Sequence, residues 1–106
     1  MNQTDAKIAI QALKPFKASA LWACKQTSPS HSTGWLNRDE SRAYYDANQA
    51  GIIYTGYSYG TPIAWLTNAG WYRVSERFTR TTSCHQRIVG GAVYAYEQGK
   101  NEQVSA

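Results

Sequence analysis

The run Ile52-Ile53-Tyr54-Thr55-Gly56-Tyr57-Ser58-Tyr59-Gly60-Thr61-Pro62-Ile63-Ala64-Trp65-Leu66-Thr67 constrains the fold more than any other stretch of the chain. β-Branched and aromatic residues dominate it, and such side chains suit a pleated, half-buried surface better than a helix. Pro62 cannot donate to a strand ladder, so a bend, bulge or edge position is expected at Gly60-Thr61-Pro62. Asn68-Ala69-Gly70 is a tight-turn signal leading into Trp71–Val74 and then Phe78–Thr81. These segments predict a meander of three or four antiparallel strands. Within it Tyr57 and Tyr59 share a face, with Tyr54 opposite unless Gly56 makes a bulge.

Helical signals flank the run. Thr4 is a helix cap with Asp5 in the first turn, and Ile8, Ile10 and Leu13 offer a partial apolar face before Pro15. From Phe16 the chain alternates, with Phe16, Ala18, Ala20, Trp22 and Cys24 on one side, which predicts a strand. Lys25–Gly34, rich in Ser, Thr, Pro and Gly, is a loop, and His31 within it is a solvated residue. Trp35-Leu36 opens a short strand. Asn37 then caps a helix, with Glu40 three residues on, Ala43, Tyr44 and Ala47 as its apolar face and Gly51 as its stop. The last element runs from Ser83, near its N-cap, to about Tyr96, with Ile88, Val89, Ala92, Val93 and Tyr96 at helical spacing. Gly90-Gly91 weakens that helix by roughly 1 kcal/mol per glycine and leaves a strand open. Residues 1–4 and 98–106 are expected to fray.

The expected fold class is α+β, a single small domain spanning 1–106, with an antiparallel sheet of four or five strands and two or three short helices. Its 106 residues suffice to bury about 65% of the unfolded surface without disulfides or metal. Leu, Val and Phe are scarce, while four Trp and eight Tyr supply the missing apolar bulk and are expected to carry most of the core. Cys24 and Cys84 are too few and too far apart for a metal knuckle and are expected to be reduced thiols. No stretch approaches the roughly 18 apolar residues of a membrane helix, and the N-terminus lacks a secretory pattern, so a cytoplasmic protein with no membrane partner is expected.

The formal net charge of +4 is unevenly spread. Between Arg73 and Arg87 lie four arginines, His85 and a single acid, Glu76. In FTRTTSCHQR (Phe78–Arg87), a helix starting near Ser83 aims its first N–H groups at Thr81, Thr82 and Ser83, with Arg80, His85 and Arg87 close by. That is an anion site suited to phosphate, unless the hydroxyls merely cap the helix. The rings of YTGYSYGTPIAW, Tyr57 and Tyr59 above all, lie beside a strand carrying Arg73 and Arg77. They are candidates for base stacking, unless they are ordinary cross-strand packing. Cys84 and His85 are neighbours in sequence and do not face one another on a helix, so they are not a nucleophile–base pair. No paired-carboxylate, metal-binding or phosphate-loop motif is present, and no catalytic residue or cofactor is expected.

Ser58-Tyr59-Gly60-Thr61-Pro62-Ile63-Ala64 and Thr81-Thr82-Ser83-Cys84-His85-Gln86 resemble the two signatures of a family of small proteins encoded by bacteriophages and other mobile elements. Its members carry a SYGTPIA-like strand and a TTSxHQ motif opening the last helix. Phe16-Lys17-Ala18-Ser19 is similar to its opening strand. The resemblance runs from about Pro15 to Val89, with Cys84 and Gly90-Gly91 as departures. It implies an accessory protein of a phage or mobile element in a bacterial host cell and brings no catalytic residue.

The favoured expectation is a non-enzymatic protein that binds nucleic acid or a host nucleoprotein complex through a basic, aromatic-rich face. That face comprises Arg73, Arg77, Arg80, Thr81, Thr82, Ser83, His85 and Arg87. The alternatives are a protein-binding modulator of a host defence complex and a small ribonuclease using His85. The favoured expectation requires the arginines to converge outward.

Overall fold

A computed structural model describes residues 3–18, 20–26, 33–75 and 80–105. Helix α1 spans Gln3–Gln11, β1 Phe16–Ala18, β2 Leu21–Lys25, α2 Arg38–Ala50, β3 Tyr54–Ser58, β4 Thr61–Thr67, β5 Gly70–Arg73 and α3 Arg80–Ser105. The five strands form one antiparallel meander in the order β1-β2-β3-β4-β5. The fold is thus α+β, with a five-stranded sheet and three helices.

The alternation at Phe16–Cys24 belongs to two strands rather than one. Ala18 pairs with Leu21 and Phe16 with Ala23, so the chain folds back through Ala20. A period of two is blind to a reversal of the chain, and the reversal changes which residues face which way. Leu21 and Ala23 join the core, leaving Trp22 and Cys24 on the other face. No strand forms at Trp35-Leu36, where backbone and hydroxyl bonds tie a turn to its surroundings. Trp35 N–H donates to Thr61 Oγ1 at 3.0 Å and Leu36 N–H to the Thr33 carbonyl.

Helix α2 starts as its sequence dictates. Asn37 has extended backbone, and its side-chain oxygen accepts from Glu40 N–H at 2.8 Å. Gly51 ends the helix at φ +104°, outside the range that L side chains adopt with ease. In α1 the buried face is Ala6 and Ile10, with Leu13 packed against the same core, whereas Ile8 is exposed. Spacings of four and three keep the first set on one side, and Ile8 falls between them.

Tyr59 and Gly60 make the two-residue turn between β3 and β4, both with positive φ (51° and 77°), the arrangement that matches strand twist. The expected irregularity at Pro62 is a register shift opposite Gly56 and Tyr57 that makes Ile63 the extra residue. Pro62 also lies beyond the last β4–β5 pair, where no ladder bond from its nitrogen is needed.

Helices cover the sheet on both faces. On one, α1 and α3 bury Ala6, Ile10, Ile88, Val89, Ala92 and Val93 against Leu21, Ala23, Tyr54, Ala64 and Leu66. On the other, α2 brings Tyr44 onto Trp65, Ile52 and Val74. That second face is a row of rings. Trp22 stacks on its cross-strand partner Tyr57 (4.2 Å, 12°) and Trp65 on its partner Tyr72 (4.7 Å, 6°), with Tyr44 tilted against Trp65. Three layers result, and the rings fill the α2 side while aliphatic side chains carry the α1 and α3 side, so that, contrary to expectation, the aromatic residues do not supply most of the core.

A candidate anion-binding cleft

Tyr57 is not a surface residue. It is 1% exposed, its ring is covered by Trp22, and its hydroxyl meets that of Tyr44 at 3.0 Å. The open aromatic platform expected on this sheet is absent, because α2 closes one face and α1 with α3 the other. Tyr59 alone of that pair is exposed, held at the hairpin tip in a left-handed conformation that a tyrosine rarely adopts.

Helix α3 begins at Arg80, so Thr82 and Ser83 lie within its opening turns and Ser83 is not its N-cap. Thr81 and Arg80 are helical rather than the end of a strand, and their side chains lie outside the description, as does the whole of Arg77. Thr82 is buried, and its hydroxyl accepts from Ser58 at 3.3 Å instead of facing a ligand.

Residues on one side of α3 then diverge in role from those on the other. Thr82, His85 and Val89 turn toward the sheet, whereas Ser83, Gln86 and Arg87 line a cleft of about 640 Å³ between α3 and the end of β5. Arg73, Val74 and Ser75 form the opposite wall, and Ile63 and Val89 contribute to its apolar lining. Gln86 Nε2 donates to the Val74 carbonyl at 2.9 Å and fixes the distance between the two walls.

The glycine pair explains how Arg73 reaches this place. A β-carbon at Gly90 would stand 2.6 Å from Arg73 Nη1, so the guanidinium lies directly over the helix backbone. A β-carbon at Gly91 would stand 3.5 Å from Lys7 Nζ, which arrives from α1. Gly90 is three residues beyond Arg87, the spacing of adjacent side chains on a helix. Arg73 and Arg87 therefore share one exposed site although fourteen positions separate them in sequence. Neither guanidinium has an ion-pair partner among the described residues. Two planar, permanently charged donor groups beside two serine hydroxyls can hold a phosphate or carboxylate by charge-assisted hydrogen bonds.

His85 does not join the two arginines. Its Nδ1 lies 2.6 Å from Ser58 Oγ, and its ring is 6.0 Å from that of Tyr59. Burial pushes its pKa below the ordinary 6.5, which makes it neutral at pH 7. Ser58, 1% exposed, is thus a partner that orients the imidazole, and it is closed to attack on a substrate. This bond also joins the two sequence signatures, SYG and TTSxHQ, in space. Cys24 and Cys84 carry free thiols, and burial pushes that of Cys24 up. Among the described residues no group of three His, Cys, Asp or Glu side chains is placed to hold a metal ion. Nor does any described helix have the length and apolarity to cross a membrane.

Sequence reasoning missed Ser58, Ser75, Lys7 and the purpose of Gly90. The glycines carried the signal. A glycine pair in the interior of an otherwise regular helix marks a place where another group can approach the backbone.

A small α+β domain with a solvent-open cationic cleft at the junction of an edge strand and a long helix defines the molecule in general terms. The chain belongs to a family of unknown function, DUF8033, whose model matches residues 25–105. The match takes in α2, β3, β4, β5 and α3, and hence both arginine-bearing walls of the cleft. No curated protein and no solved structure matches the chain.

Proposed function

We propose that the protein binds nucleic acid, free or within a host nucleoprotein complex, through the Arg73–Arg87 cleft and without catalysing a reaction. The observation that carries this reading is that Arg73, laid over Gly90, and Arg87, from a separate element, line one cleft beside Ser75 and Ser83, with no ion-pair partner for either among the described residues. With no carboxylate among the described residues paired to them, the two guanidinium groups set up a field that attracts phosphate. The resemblance of the two signatures to phage and mobile-element proteins supports a role as an accessory protein in the cytoplasm of a bacterial host.

The test is fluorescence anisotropy with labelled DNA and RNA oligonucleotides at two salt concentrations. With two or three phosphates neutralised, affinity falls roughly tenfold or more between 50 and 200 mM salt. Arg73→Ala and Arg87→Ala each weaken binding across sequences alike and reduce the salt slope by about one. Affinity that ignores salt, or no binding to any oligonucleotide, overturns the proposal.

A second reading is a protein-binding modulator of a host defence complex. It is supported by the exposure of Trp35 (76%) and Tyr45 (63%) around the first half of α2, since interfaces favour such rings. A host partner that co-purifies after nuclease treatment, and is lost on Trp35→Ala, favours it. The ribonuclease reading has less support, because His85 lies on the flank of α3 away from both arginines. Cleavage of RNA by the protein but not by its His85→Ala variant would revive it.

A further inference from the structure

The outer side of α3 continues past the cleft. Ser83, Arg87, Gly90 and Tyr94 follow one another at spacings of four, three and four, which keeps them on one side of the helix. Tyr94 is 66% exposed, and its ring meets no other ring among the described residues. It stands two turns beyond Arg87, about 10 Å along the axis. Between them Arg73 and Lys7 lie against Gly90 and Gly91, so a cationic strip leads from the cleft to an unpartnered aromatic face.

We propose that the ligand of this strip is a single-stranded nucleic acid, its phosphates at Arg73 and Arg87 and one of its bases stacked on Tyr94. This rests on the nucleic-acid reading of the cleft. A base in a duplex has both faces covered by its neighbours and offers Tyr94 nothing to stack on, whereas an unpaired base does. Glu97 lies three residues beyond Tyr94 on the same flank and is exposed. Its carboxylate repels phosphate and ends the track there. From Ser83 to Tyr94 the strip is about 16 Å long, the span of roughly five stacked nucleotides of one strand.

The experiment is anisotropy at 50 mM salt with labelled oligo(dT) and oligo(rU) of two to twelve nucleotides. A hairpin duplex of equal phosphate count is compared directly, and polyglutamate serves as competitor. The expected result is at least tenfold tighter binding of one of the single strands than of the duplex, with affinity rising steeply up to about five nucleotides. Tyr94→Ala loses fivefold or more, and Tyr94→Phe keeps the affinity. Circular dichroism of each variant verifies the fold, and a solvent-exposed position leaves folding intact. Equal or tighter binding of the duplex overturns the single-strand inference, as does a Tyr94→Ala variant that binds normally while Arg87→Ala does not. Both of those results leave the cleft reading standing. Absence of any oligonucleotide binding, or displacement of the strand by an equal charge of polyglutamate, overturns both together.

Discussion

The two sides of the sheet handle polar groups in opposite ways. On the α2 side Trp22, Tyr57, Tyr44, Trp65 and Tyr72 are stacked or tilted against one another, and their phenol tips meet partners. Tyr44 faces Tyr57, and Tyr72 O–H donates to the buried Glu40 carboxylate at 2.5 Å. That bond, with its negative charge, pushes the Tyr72 pKa up to about 12, since ionising the phenol would set two anions face to face. On the α3 side the core is largely aliphatic, and at its rim Arg73 and Lys7 are drawn against a glycine pair, with no carboxylate paired to Arg73 or Arg87 among the described residues. One face is finished internally and supplies cohesion. The other keeps unmet charge at its margin, which is what a binding surface requires.

That contrast can be broken in three places. Trp65→Ala, on the closed face, removes an indole that is 1% exposed between Tyr44 and Tyr72. It is expected to cost about 3–5 kcal/mol in urea unfolding, a large share of the stability of a domain this size, and to leave oligonucleotide affinity of the folded protein unchanged. A loss below 1 kcal/mol would mean the rings are not the anchor. Gly90→Ala has the reverse signature. The helix gains up to about 1 kcal/mol of propensity, because the methyl group needs only the flexible end of Arg73 to move, yet binding weakens several-fold as that guanidinium is displaced. Unchanged binding in a stabilised variant would detach Arg73 from the site.

The smallest effect is one of pH. His85 has a folded pKa below 6.5, so as pH falls through 6.5 the unfolded chain takes up the proton first. Stability is full above that value and declines as pH drops toward the lower folded pKa. Urea midpoints at pH 7.5 and 5.5 measure the decline, and His85→Gln should reduce it. An equal decline in the variant would assign the proton uptake to another group.

Much of the fold was legible because it is local. Asn37 and Gly51 bracket α2, and Asn68-Ala69-Gly70 turns β4 into β5, each through a residue whose own conformational preference decides the matter. The hairpin at Ala20 was not legible, since alanine carries no turn signature and the alternation passes straight through it. Tyr57 was misplaced for a different reason. Parity identifies which residues share a face and says nothing of what lies over that face, which here depends on a helix thirteen residues upstream. The cleft was half visible. Arg73 and Arg87 stand out by composition, but their meeting requires β5 to lie beside α3, a long-range contact. The Ser58–His85 bond joins elements that only the completed fold brings together.

The four indoles sit in four surroundings, with Trp65 enclosed, Trp22 sandwiched on a phenol, Trp71 edge-on to Tyr54 and Tyr96, and Trp35 in water. Native emission is therefore a composite of a blue component from Trp65 and a red one from Trp35. Iodide quenches the red component first, so the spectrum itself reports on the segment leading into α2 without any attached dye.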